Sequence, residues 1–188
     1  MKNGLRAGLA AAVAAGVLAA SAVATVSPAD AVAATPYCGI WWGSTAKTSS
    51  LLRPGPVVDV RAGRHDCFDR LVVDVAGPVT GYHVSYVDVV RADGSGHAVP
   101  LAGAGDIRVA IHAPAYDSRG NSTFRPANRS AVVNVAGWST FRQVALVGSF
   151  EGYTTIGLGV RARLPMRVFV LPGPGSNSRV VIDVAHRW

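Results

Sequence analysis

A short alternation, broken often by glycine and proline, constrains this chain more than any other feature. The triplet apolar-Asp-apolar recurs at Val58-Asp59-Val60, Val73-Asp74-Val75, Val87-Asp88-Val89 and Ile182-Asp183-Val184, with Val133-Asn134-Val135 as a near match. A period of two puts the polar residue on one face of a strand and its neighbours on the other. Two longer copies stand out: Arg70-Leu71-Val72-Val73-Asp74-Val75-Ala76 and Arg179-Val180-Val181-Ile182-Asp183-Val184-Ala185. In each copy Arg, Val and Asp share one face, and three aliphatics share the other. Arg and Asp of one strand lie ~13 Å apart at ~3.3 Å per residue, too far to pair, so each is expected to meet a neighbouring strand. The duplication suggests two related halves set as two facing sheets. The alternative is chance similarity in a valine-rich β protein.

Further strands are expected over residues 83–90, 107–112, 130–135, 141–149, 154–160 and 166–171, which are rich in Val, Ile, Phe and Tyr. Turn signals separate them at Ala76-Gly77-Pro78, Asp93-Gly94-Ser95-Gly96, Gly103-Ala104-Gly105-Asp106 and Pro172-Gly173-Pro174-Gly175. Many short strands with regular breaks point to an all-β sandwich or barrel. A short helix is expected near residues 44–51, and no other segment after residue 35 shows a helical stripe. The longest irregular stretch, residues 113–128, carries Tyr116, Asp117, Arg119, Gly120, Asn121, Phe124 and Arg125. Long loops often carry function, which makes it a binding candidate.

The first thirty residues fit an export signal. Lys2 and Arg6 precede a run of Ala, Val, Leu and Gly from Ala7 to Val26. Ala29-Asp30-Ala31 has the small-x-small pattern that a signal peptidase requires, and Ala31-Val32-Ala33 is a second such site. A transmembrane anchor is the alternative, but the run is Ala- and Gly-rich and no basic stop-transfer flank follows. The residues before Cys38, Thr35-Pro36-Tyr37, lack the small-residue context of a lipoprotein site. Cleavage after residue 31 leaves 16 basic and 10 acidic residues, and Lys47 is then the only lysine. The remaining chain is long enough for one buried core and has no further run of membrane-spanning length. A basic exported domain suits acidic partners such as wall polymers, phospholipid head groups or extracellular nucleic acid.

Two cysteines, Cys38 and Cys67, fall in the exported part. Such a pair reads as a disulfide, with two free thiols as the alternative. Bonding would bring Trp41 and Trp42 close to the basic stretch Arg61, Arg64, His65 and Arg70. Exposed indoles can stack on a sugar ring, although a Trp beside a disulfide more commonly packs against its domain. With Asp66, these residues form the candidate binding surface. His65-Asp66, with Asp69 nearby, is the densest titratable cluster. Asp66 could orient His65 as a base, and a solvated turn is the plainer reading.

Other motifs fail on their own terms. Gly157-Leu158-Gly159-Val160-Arg161-Ala162 fits G-x-G-x-x-A, but Leu164-Pro165 breaks the helix that a dinucleotide would need. Ser149 lacks the G-x-S-x-G elbow. Glu151 is the only Glu, so a two-carboxylate glycosidase would have to pair it with an Asp. His65, His83, His97, His112 and His186 show no metal-ligand spacing, and no cofactor motif is present.

The run from Val58 to Asp74, Val-Asp-Val-Arg-Ala-Gly-Arg-His-Asp-Cys-Phe-Asp-Arg-Leu-Val-Val-Asp, together with Gly157 to Arg161 and Arg179 to Asp183, resembles the AMIN-like domain of secreted actinobacterial proteins. The similarity extends from Cys38 to Trp188. The resemblance implies a β-sandwich of two related sheets. AMIN domains proper are associated with peptidoglycan binding and with placing amidases or secretion pores in the envelope. This chain has no room for an amidase domain, and no family binding residues are carried over onto its positions.

Three segments are therefore expected: a signal peptide over residues 1–31, a disulfide-stapled segment over 32–56 and an AMIN-like sandwich over 57–188. The expected role is a secreted, wall-associated, non-catalytic module that binds peptidoglycan or another anionic wall polymer. An envelope protein is a further expected partner, whereas specific nucleic-acid binding is not expected. The alternatives are a small secreted hydrolase using His65, Asp66 and Glu151, and a protein-binding scaffold or inhibitor using sheet edges or the 113–128 loop.

Overall fold

The computed structural model describes residues 36–50, 55–78 and 81–188; the expected export signal lies outside them. The described residues form eleven strands and no helix: β1 (Lys47–Ser49), β2 (Val57–Arg64), β3 (Phe68–Val75), β4 (Tyr82–Val87), β5 (Val90–Arg91), β6 (Ala98–Val99), β7 (Gly105–Ile111), β8 (Phe141–Phe150), β9 (Tyr153–Val160), β10 (Met166–Pro172) and β11 (Ser178–Ala185). Two antiparallel sheets hold most of them. One has the order β1-β4-β7-β9-β8 and the other β10-β11-β3-β2, and β5 and β6 form a separate hairpin.

The sheets pack face to face through their alternating aliphatics. Leu71, Val73 and Val75 of β3 and Val180, Ile182 and Val184 of β11 meet Val84, Ile107, Val109, Ile111, Val144, Ile156 and Leu158 from the five-stranded sheet. Burying each such side chain is worth roughly 2 kcal/mol. The core cluster is drawn from residues between Val57 and Val184, so the sandwich carries a complete core of its own. The chain is thus an all-β sandwich, as its alternation implies.

The duplicated strands are not counterparts in facing sheets. β3 and β11 are antiparallel neighbours in one sheet, with Arg70 opposite Asp183 and Asp74 opposite Arg179. Residues 44–51 are not helical where described: β1 pairs with β4 instead, Thr48 opposite His83. The segment with β-branched Thr48 completes a sheet edge, and isolated helix propensity over so few residues is too weak to compete.

The expected strand at 130–135 is irregular. Two main-chain bonds tie this stretch to β8, Val132 N–H to the Val144 carbonyl (2.8 Å) and Leu146 N–H to the Arg129 carbonyl (2.7 Å). Asn128 and Asn134 side chains accept from the N–H groups two residues on, forming local turns that compete with a ladder. The expected strand at 83–90 ends at Val87, and the chain bends before β5. A register shift between Val57 and Asp59 turns Val58 outward, so it does not share the buried face of Val60.

The 113–128 loop is anchored rather than free. Ala113, Ala115 and Phe124 are buried, and the Thr123 hydroxyl donates to the Val57 carbonyl at 2.7 Å. Its exposed tip is organised by Asp117, which accepts from the N–H groups of Arg119 and Asn121 and from the Asn121 amide. These bonds hold the Asp117 carboxyl below its usual range.

Candidate functional site

The outward face of the four-stranded sheet carries a lattice of arginines, aspartates and aromatic rings. Side-chain alternation puts Phe68, Arg70, Val72 and Asp74 of β3 on this face. Arg179, Val181 and Asp183 of β11, Arg167, Phe169 and Leu171 of β10, and Arg61 of β2 join them. Asp183 is fully buried and lies opposite both Arg70 and Arg167. Arg70 donates to its two oxygens from Nε (2.6 Å) and a terminal nitrogen (2.9 Å), and Arg167 Nε donates at 2.8 Å. Arg61 makes a similar two-point contact with Asp74, at 2.7 and 3.0 Å. The bonds to Asp74 and Asp183 raise the Arg61 and Arg70 pKa values further above the ordinary arginine value.

The rings complete the lattice. The Arg70 guanidinium sits 5.1 Å from the Phe68 ring centre and 5.6 Å from that of Phe169; Arg167 approaches Trp42, Phe68 and Phe169 at 5.6, 5.4 and 5.1 Å. These planar groups cover Val72 and Val181, which are buried although they face away from the core.

A groove of about 260 Å³ opens between the arginines. Arg61, His65, Arg70 and Arg179 line it together with Val72, Val181 and Leu171, and no Asp or Glu is among its lining residues, the partners Asp74 and Asp183 lying beside it. The aspartates fix the guanidinium planes of Arg61 and Arg70 while leaving other N–H groups for a ligand. Arg179 donates to the Pro172 carbonyl at 2.9 Å, and its Nε is buried with no hydrogen-bond partner among the described residues. Geometry of this kind suits an anionic group attached to a less polar body.

Of the residues expected from sequence, Arg61, His65 and Arg70 share this groove. Trp42 joins the lattice from one side: its indole N–H donates to the Tyr37 carbonyl at 2.9 Å, and its ring lies 5.8 Å from Phe68. Arg64 and Asp66 are exposed on the β2–β3 hairpin and do not line the groove. Trp41 stands apart, 72% exposed. Cys38 and Cys67 form a disulfide, with Cα atoms 6.4 Å apart, and this ties the 36–44 segment to the hairpin. Sequence reasoning missed Arg167, Phe169 and Arg179 as site residues. The signal for Arg179 was present, because it occupies in the second copy the place of Arg70 in the first.

His65 and Asp66 make no hydrogen bond to each other. The His65 ring stacks on Phe68 at 4.5 Å, and its carbonyl meets His186 Nε2 at 2.9 Å. Asp69 is buried and accepts from the N–H groups of Thr140 (2.7 Å) and Phe141 (2.9 Å). Glu151 lies beyond the start of β9, whereas the His65 turn adjoins the residues beyond its end. That separation is a strand's length, roughly 25 Å. The hydrolase reading draws no support from this geometry. Among the described residues, no three His, Cys, Asp or Glu side chains come together as metal ligands, and no helix is long and apolar enough to cross a membrane.

A second cleft, about 350 Å³, lies on the outer face of the five-stranded sheet between His83, Arg108, His112, Phe150 and Tyr153. Burial, with His83 close by, holds His112 below the usual histidine range. Here Arg108 is matched by Asp93 at 2.6 Å, and Asp93 and Glu151 both line the cleft, so it is a poorer place for an anion.

Comparison with known proteins finds no matching curated protein and no matching solved structure. The family model of the AMIN-like domain matches residues 55–186. That span includes the whole four-stranded sheet and its groove, and it begins after the stapled segment that carries Cys38, Trp41 and Trp42. With so much of the chain matched, it belongs to the AMIN-like domain family.

Proposed function

We propose that this chain is an exported, non-catalytic cell-envelope module that binds peptidoglycan or another wall polymer through anionic groups in the Arg61–Arg70–Arg179 groove. The carrying observation is that three arginines and a histidine line one groove with no carboxylate among them. Membership of the AMIN-like family supports an envelope-targeting role. The disulfide supports an oxidising compartment outside the cytoplasm. Half-buried Leu171 gives the groove an apolar contact besides charge, which separates recognition from simple attraction.

The test is co-sedimentation of residues 32–188 with purified wall sacculi, at low salt and at about 0.5 M, where the Debye length falls to a few Å. Binding is expected to persist in salt. Arg61→Gln and Arg179→Gln are each expected to weaken it roughly ten-fold, since a charged hydrogen bond is worth about 1.5 kcal/mol or more. Protein left in the supernatant at low salt sinks the reading. Binding lost at high salt reduces it to nonspecific basic adhesion.

A further inference from the structure

We propose that the disulfide end of the sandwich is a docking surface for an anionic lipid bilayer, with Trp41 and Trp188 entering the headgroup region and the surrounding arginines meeting lipid phosphates. This surface is distinct from the arginine groove and does not depend on the wall reading.

The two tryptophans are among the few large apolar side chains left exposed in the described residues, at 72% and 70%. The fold brings both to one end. Met166 N–H donates to the Gly43 carbonyl at 2.9 Å, Arg163 donates to the Ser44 carbonyl at 3.4 Å, and the Trp188 indole N–H donates to the Arg163 carbonyl at 3.1 Å. Trp188 therefore reaches Arg163, whose guanidinium meets Ser44, three residues along the chain from Trp41. The Trp188 indole has its one donor satisfied and presents its ring to solvent.

Charge at this end is lopsided. The segments that meet here, residues 36–44, 63–67, 161–165 and 186–188, carry exposed Arg64, Arg161, Arg163 and Arg187, with Asp66 as their one acidic side chain. Arg161 donates to the His186 carbonyl, and Arg187 stacks over Tyr37 at 4.6 Å, so the arginine stems are fixed while their charge stays at the surface. Two further carboxylates, Asp88 and Asp106, share a cleft with Arg163 on the side of the five-stranded sheet.

A bilayer fits this surface better than a glycan does. Sugar and small-molecule sites enclose their ligand in a concavity. Trp188 borders only an open hollow of about 280 Å³ with Pro36, Tyr37, Cys38 and Arg187 and stays 70% exposed, whereas a bilayer interface accepts a projecting indole and is the usual home of such rings. Basic side chains beside it gain from the negative surface potential of anionic lipid.

The experiment uses residues 32–188, whose sandwich carries its own complete core, so the apolar run cannot confound the result. Binding is measured by sedimentation with vesicles of phosphatidylcholine alone, and with about one third phosphatidylglycerol. Quenching of indole emission by a bilayer-embedded quencher is read in parallel. Sedimentation and quenching are expected only with the anionic vesicles. Trp41→Ala with Trp188→Ala should lower partitioning roughly ten-fold or more, because each removes an inserted apolar ring. Arg187→Gln should lower it about five-fold. Both tryptophans are exposed, so thermal melting of the double variant should match the parent. Arg61→Gln and Arg179→Gln should leave vesicle binding unchanged, which keeps this result separate from the fate of the wall reading. The proposal is overturned by equal binding to both vesicle types, by no binding, or by vesicle binding that survives loss of both tryptophans. Loss of sacculus binding in the tryptophan variant, with vesicle binding intact, would make this end a wall surface instead.

Discussion

Asp74 and Asp183 hold arginines on the same face, but in different surroundings. Asp183 is fully buried and accepts three guanidinium bonds, from Arg70 and Arg167, whose side chains are only 24% and 32% exposed. Asp74 is partly exposed, and its partner Arg61 is 50% exposed. Removing one member of a buried pair leaves the other charge desolvated without compensation, whereas water readily takes over at an exposed pair. Asp183→Ala is therefore expected to cost about 3 kcal/mol. Asp74→Ala should cost less than about 1 kcal/mol. Urea unfolding of the two variants measures both, and equal losses would mean that burial does not set the value of these pairs. Asp183→Ala should also loosen Arg70, so it is the more damaging change for the groove.

At the scale of elements, the 36–44 segment is held to the sandwich chiefly at its ends. One tie is the Cys38–Cys67 disulfide, and the other is the bridge between Gly43 and Met166 continued by β1 beside β4. A cross-link closing a loop of this size, with a sequence separation of 29 between the cysteines, contributes on the order of 3 kcal/mol by the chain-entropy model. Reduction is expected to lower the urea midpoint by a matching amount and to open residues 36–44 to proteolysis. Unfolding should remain cooperative, because the core lies wholly outside this segment. A reduced protein with unchanged stability would place the anchoring in β1 alone. The alternation made most of these elements legible in advance: the strands near 141–150, 153–160 and 166–172, and the need of Arg70 for an aspartate on another strand. It did not reveal which strand supplies that aspartate, because pairing between distant segments depends on the whole sheet. Gly157 and Gly159 show the same limit. Leu164-Pro165 already ruled out a nucleotide loop there, but only the fold shows their use: a Cβ at Gly159 would lie 2.1 Å from the Ala102 carbonyl oxygen, so the glycine serves a close backbone approach. In the site, Arg61, His65 and Arg70 were legible because one hairpin carries them. Arg167, Phe169 and Arg179 arrive from strands that only the fold brings alongside.

For the molecule as a whole, the proposed wall groove lies on the broad outer face of the four-stranded sheet, and the proposed bilayer surface lies at the sandwich end. His65 marks their border: its side chain lines the groove, while its carbonyl contacts His186 beside the tryptophan end. A face and an end can be occupied together, so one molecule could tether membrane to wall. Binding at the first site would raise the effective concentration for the second. The expected outcome is measurable with sacculi and anionic vesicles in one tube. Low-speed pellets of sacculi should carry vesicles only when the protein is present, and excess protein should abolish this by filling each surface separately. Trp41→Ala with Trp188→Ala should end the bridging while leaving protein on sacculi. Arg61→Gln with Arg179→Gln should end it while leaving protein on vesicles. If each surface is bound singly but no bridging occurs, the shared border at His65 makes the two ligands exclusive, and the domain would then exchange between membrane and wall rather than join them.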